Sequence, residues 1–305
     1  MTEPSFPGSG LLAAVAGETA AQIPPLTSVP VEGGVMMVLL GLGLVVAAAL
    51  VIRLLVRPVA WGPRVSRLRW RPVLERDGLR LALVLLGVHG LFLTGFALLT
   101  RDHPDGRERL AGSCVVVQSL IFHWAILALV AVRLAQRRIP WRAAFGLEGR
   151  GAGRRLALGA GLYLASLPLV MGCAFLWREL LLRMGVNPEA QPVVELMAGA
   201  HPWALRAYLI ALGTLVAPVA EEVLFRGIAL PLLAKRFGAG AAVLLTALVF
   251  ASLHFNAASF GPLLLLGLVL ALAYVYSGSL WTPIALHSLF NGVNIALLYA
   301  GLPGT

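Results

Sequence analysis

Apolar residues run along this chain in long blocks separated by short polar segments, and the block lengths set the expected elements. A helix of roughly 20 apolar residues crosses the hydrocarbon core of a bilayer. Blocks of that kind predict spans at about 34–56, 81–99, 111–132, 156–176, 204–233, 241–255, 262–276 and 281–300. The sixth and seventh are short for a crossing, so a tilted or re-entrant element is expected there. Between the fourth and fifth, charges alternate with leucines and valines, and a short interfacial helix is expected near Gln191–Ala198. Residues 1–33 are rich in Gly, Pro, Ser and Thr and hold no Lys or Arg. Without a basic n-region this is not a secretory signal, and it reads as a flexible, non-cytoplasmic tail. The expected fold class is all-α, a polytopic membrane helix bundle of about eight transmembrane helices. It divides into the tail 1–33, an N-terminal four-span region 34–190 and a C-terminal four-span core 191–305.

Composition strengthens the membrane reading and removes a competing one. Hydrophobic residues make up 59% of the chain and charged residues 12%, against about 45–50% and about 25% in soluble domains. The net charge is +10, and of the 24 basic residues only Lys235 is a lysine. The arginines cluster between spans: Arg64, Arg67, Arg69, Arg71, Arg76 and Arg80 in one loop, 133–155 in another, with Lys235 and Arg236 after the fifth block. Basic loops at alternate positions mark one side of a membrane and meet anionic lipid. Membrane lipid is therefore the expected partner and nucleic acid is not, and both termini are expected outside the cytoplasm. Cys114 and Cys173 lie in apolar blocks, too few and too far apart for a disulfide framework or a zinc motif. They read as small buried hydrophobes. Gly149–Arg154 is glycine- and arginine-rich but lacks the preceding strand of a phosphate loop, and reads as basic linker.

The candidate chemistry lies in polar residues inside the last four blocks. An Asp, Lys or Arg at the centre of a membrane helix costs about 2.5–3.5 kcal/mol, so charges at depth are rare and usually functional. The fifth block nevertheless holds Glu221, Glu222 and Arg226. The sixth ends in Phe250-Ala-Ser-Leu-His254-Phe-Asn256, and the eighth holds His287-Ser-Leu-Phe-Asn291-Gly-Val-Asn294. Polar side chains on three spans are cheapest when gathered in one bundle interior. Residues four apart share a helix face. Glu222 can therefore pair with Arg226, Phe250 shares a face with His254, and His287 shares one with Asn291. Glu221 lies about 100° round the helix from Glu222 and is left free. Pro218 and Pro283 each precede a polar cluster, where a proline that frees a carbonyl would bend the axis and open a pocket.

The kit is one free carboxylate, two imidazoles and a carboxamide. A carboxylate beside a histidine can hold and deprotonate water, and imidazole and carboxamide N–H groups can donate to a developing oxyanion. Ser252 and Ser288 are not placed as nucleophiles. Ser252, Asn256 and Asn294 read as helix–helix contacts or caps. His89 and His123, in the second and third blocks, read as structural or interfacial.

Glu221-Glu222-x-x-x-Arg226, Phe250-x-x-x-His254 and His287-x-x-x-Asn291, in that order, resemble the type II CAAX prenyl endopeptidase and bacteriocin-processing (CPBP) family. This is the Abi group of glutamate-dependent intramembrane proteases. The resemblance covers about residues 190–300, and the first four spans match only in general character. It implies peptide-bond hydrolysis within the membrane. Glu221 would be the base, His254 its partner on water, His287 and Asn291 the oxyanion site, with Glu222, Arg226 and Phe250 supporting. The family is often described as metalloprotease, yet the resemblance leans toward water activation with no cofactor. If zinc were used, Glu221, His254 and His287 would be its ligands, without a His-Glu-x-x-His spacing to fix it. The expected substrate is a peptide or membrane protein, with a prenylated protein and a leader peptide both open. The expected location is a bacterial inner (plasma) membrane, as a multi-pass integral protein. Two other classes fit buried carboxylates and histidines: a non-catalytic membrane scaffold or immunity protein on the same fold, and a proton-coupled transporter. A transporter would be favoured by internal repeats, and none is evident.

Overall fold

In a computed structural model of the chain, residues 30–69, 114, 116–199 and 203–301 are described, with scattered helical positions between 83 and 98. The tail 1–29 and about half of the second apolar block, with His89, lie outside the described residues. The chain divides into two compact units, Met1–Val38 and Leu39–Thr305. No strand occurs among the described residues. The helices are α1 (Pro30–Val56), α2 (Trp61–Arg69), α3 (Val116–Gln136), α4 (Trp141–Phe145), α5 (Ala152–Arg183), α6 (Pro192–Gly199), α7 (Trp203–Phe237), α8 (Ala239–Ser252), α9 (Ala257–Ser277) and α10 (Trp281–Tyr299). The fold is a helical membrane bundle.

Five described helices are long and apolar enough to cross a membrane: Met36–Val56 within α1, and α3, α5, α7 and α9. The short helix α8 has 14 residues, about 21 Å at 1.5 Å per residue, which is the short sixth element the apolar pattern predicts. The seventh differs from expectation. α9 runs for 21 residues, a full crossing, because the helix starts ahead of its apolar block. Asn256 caps it, its side chain accepting from the Ser259 N–H at 2.9 Å, and thereby satisfies one of the free donors of the first turn. α10 is helical over 19 residues but too polar to count among the five. α6 lies where the interfacial helix is expected. Cys114 and Cys173 are free and half-buried rather than sealed in the core.

Packing places α9 against α5, α8 and α10, and α5 also against α10. Small residues permit these approaches, as in other membrane bundles. A Cβ on Gly159 of α5 would stand 2.4 Å from the Thr282 carbonyl oxygen and 2.8 Å from the Ala285 Cβ of α10. One on Gly267 of α9 would stand 3.0 Å from the Ala247 Cα of α8. The connection between α9 and α10 is tied to the segment following α4. Leu280 N–H donates to the Phe145 carbonyl at 3.0 Å, and the Ser279 hydroxyl to the Gly146 carbonyl at 2.6 Å. The result is a main apolar core with Ile126 and Val130 of α3, Phe225 of α7, Phe250 of α8, Tyr274 of α9 and Phe290 of α10 inside it, and a smaller cluster around Met197 and Leu209.

Candidate active site

The site grows from an irregularity in α7. This helix contains two π turns, Leu212–Val216 and Val223–Ala229, and the α-helical segment between them, Ala217–Glu222, ends in the two glutamates. Each π turn lies just ahead of a proline, Pro218 and Pro231. Proline has no N–H and its ring crowds the carbonyl four residues back, here those of Thr214 and Gly227. A widened turn at these points relieves the crowding, and π turns occur frequently at functional sites. Pro283 does not act this way. It sits in the first turn of α10, where the missing N–H has no helical partner to lose.

Glu222 and Arg226 are both fully buried. Arg226 Nη1 donates to Glu222 Oε1 at 2.8 Å, and Nη2 donates to the Gly267 carbonyl at 3.0 Å. The guanidinium carbon lies 4.8 Å from the centroid of the Phe250 ring, within cation–π range. Glu222 Oε1 has a second donor, the His287 Nδ1–H at 3.0 Å. That bond fixes the His287 ring and leaves its Nε2 facing Glu221 Oε2 at 3.8 Å. Glu222 thus holds both a cation and an imidazole, more than the Arg226 pairing alone that spacing predicts.

Glu221 is the accessible carboxylate, with its side chain 15% exposed against 0% for Glu222. Formal charge is balanced between Glu222 and Arg226, and the neighbours of Glu221 are imidazoles. His123, expected to be structural or interfacial, places its Nε2 3.5 Å from Glu221 Oε1. Spacing within α3 holds no hint of the contact, because it depends on how α3 meets α7. His254 Nδ1–H donates to the Phe250 carbonyl at 2.8 Å, which leaves Nε2 as the basic nitrogen of the neutral ring. Among the described residues His254 has no carboxylate at ion-pair distance. Its link to the other site residues is the Phe250 ring, edge-on to His254 at 5.0 Å and to His287 at 5.6 Å between centroids. Phe250 is a brace that spaces the two imidazoles. Asn291 Nδ2 donates to the Gly213 carbonyl in the first π turn at 2.8 Å. The carboxamide is oriented by that bond and retains a second N–H. Asn294 donates back to the Phe290 carbonyl of its own helix at 2.7 Å, and Asn256 caps α9, the role expected of it.

A zinc ion held by Glu221, His254 and His287 does not fit this arrangement. Among the described residues, no three His, Cys, Asp or Glu side chains are grouped to hold a metal.

No curated protein and no solved structure matches the chain. A family model described as Type II CAAX prenyl endopeptidase Rce1-like matches residues 202–293, less than half of the chain. That segment holds Glu221, Glu222, Arg226, Phe250, His254, His287 and Asn291, and leaves His123 outside. The part of the chain that carries these seven residues is similar to the type II CAAX prenyl endopeptidase Rce1-like family, the one the three motifs resemble.

Proposed function

We propose that the chain is an intramembrane endopeptidase that hydrolyses a peptide bond of a membrane-associated substrate with water activated by Glu221. The observation that carries this reading is the contrast between two adjacent carboxylates, one sealed against Arg226 and His287, the other partly accessible and bordered by imidazoles. In the proposed reaction Glu221 takes a proton from water, with His254 Nε2 as a second acceptor on it. The hydroxide adds to the scissile carbonyl carbon, and the oxyanion accepts from the remaining Asn291 N–H. His287 adds a second donor when Nε2 carries a proton, its ring oriented by the Nδ1–H bond to Glu222. The C–N bond then breaks and the amine leaves with the proton that Glu221 accepted.

The substrate class proposed is a prenylated protein, a leader peptide or another membrane protein, and the location a bacterial inner membrane. Residues 191–305 are proposed as the catalytic core. The test uses purified wild type, Glu221→Ala and Glu222→Ala, with cleavage of prenylated and unprenylated peptide libraries followed in detergent. Cleavage by wild type and none by Glu221→Ala is the expected result. Full activity in Glu221→Ala would remove it as the base. A chelator series in the same assay is expected to leave the rate unchanged, and a loss restored by added zinc would overturn the metal-free reading.

A further inference from the structure

Among the described residues, one titratable side chain outside the three motifs reaches the proposed base. His123 is in the π turn Leu120–Trp124 of α3, a widened turn of the kind that re-aims a side chain. Its Nε2 lies 3.5 Å from Glu221 Oε1, while His287 Nε2 lies 3.8 Å from Oε2. Each oxygen of Glu221 therefore faces an imidazole nitrogen from a different helix. A carboxylate only accepts, so the proton on the His123 ring belongs on Nε2. The other nitrogen, Nδ1, is buried without a hydrogen-bond partner among the described residues. Protonating it would bury an unpaired charged donor, which costs more than a buried neutral acceptor. The ring is thus built to work as a neutral Nε2–H donor aimed at one acceptor.

We propose that His123 is a positioning residue for Glu221. Its N–H holds Oε1 and turns the carboxylate so that Oε2 faces His287. The N-terminal half of the chain, which the family match does not cover, thereby supplies part of the site. The kinetic consequence rests on the endopeptidase reading, whereas the contact itself does not.

Two full-length variants separate positioning from packing. Phe at 123 keeps a ring of similar shape and its edge-on contact with Phe122, whose centroid is 5.2 Å away, but has no N–H. Gln carries an amide N–H at about the reach of Nε2. His123→Phe is expected to lower kcat by about 10- to 100-fold, the usual cost of a misplaced group, with KM unchanged. His123→Gln is expected to recover most of that loss. A readout independent of activity is the nitrogen NMR spectrum of histidine-labelled protein in detergent. The His123 Nε2 resonance is expected to move in Glu221→Gln, where the carboxylate acceptor is replaced by an amide. Three results would overturn the proposal: wild-type kcat in His123→Phe, equal loss in both variants with wild-type unfolding, or a resonance unmoved by Glu221→Gln. If His123→Phe does not fold, His123→Gln and the resonance still decide. If wild type cleaves no peptide, the endopeptidase reading fails, and the resonance alone decides the contact.

Discussion

Glu222 and Glu221 are neighbours in the chain, and what reaches each of them predicts opposite responses to the same substitution. Glu222→Gln keeps the shape of the side chain and one accepting oxygen but leaves Arg226 buried without its counter-charge. Breaking one partner of a buried pair costs about 3–5 kcal/mol. Thermal unfolding in detergent should fall accordingly, and an unchanged midpoint would show that the pair is not sealed as described. Glu221→Gln leaves no buried counter-charge unpaired and keeps an amide oxygen at the place of the carboxylate, whose nearest imidazole nitrogens are at 3.5 and 3.8 Å. Its midpoint should stay at the wild-type value while kcat falls by about 10²- to 10⁴-fold, the usual contribution of a general base. Much of this division is readable from spacing alone: four residues place Arg226 over Glu222 and leave Glu221 turned away. The bond from His287 to Glu222 is not readable that way. It joins two helices whose relative rotation is set by packing, and helical periodicity says nothing about rotation between helices.

At the scale of the helix, α7 is shaped by its prolines. Pro218 takes the donor from the Thr214 carbonyl, and the π turn Leu212–Val216 precedes it. That turn also presents the Gly213 carbonyl to which Asn291 donates. Pro218→Ala restores an N–H at the start of Ala217–Glu222 and removes the crowding that favours a widened turn. The expected outcome is a stability equal to or above wild type, with kcat about tenfold lower because Glu221 and Asn291 shift together. Unchanged kcat would show that the π turn does not set the site. Apolar block lengths are a good guide to α8, whose 14 residues contain little beyond the block itself. They understate α9, where the cap Asn256 and the polar first turn extend the helix beyond its hydrophobic part. The π turns are visible in the sequence only as Pro218 and Pro231. A proline marks where a helix must adjust, and the form of the adjustment depends on the helices around it.

Across the molecule, the matched segment 202–293 packs against elements from the first half of the chain. α10 meets α5 at Gly159, where any side chain would run into the Thr282 carbonyl. The second π turn of α7 meets the segment between α3 and α5 at Gly227, where a Cβ would stand 2.7 Å from the Phe145 ring. His123 of α3 reaches Glu221. Gly159→Val should therefore push α5 from α10 and cost about 1–3 kcal/mol, the usual range for overpacking, seen as a lower unfolding midpoint. A stronger form of the same argument separates the halves. Residues 191–305 expressed alone retain every motif position but lose the α5 and α4 surfaces that seat α10 and α7, and lose His123. This piece is expected to be inactive in the peptide assay, and co-expression with residues 1–190 is expected to restore cleavage, because the surfaces that join the halves are apolar and closely fitted. Wild-type kcat in residues 191–305 alone would show that the motif residues align without the first half. A failure of co-expression to restore any activity would show that the covalent link through α6 is needed to bring α5 onto α10. In either event, comparing the unfolding midpoints of the co-expressed pair and the intact chain measures how much the connection contributes beyond the contacts at Gly159 and Gly227.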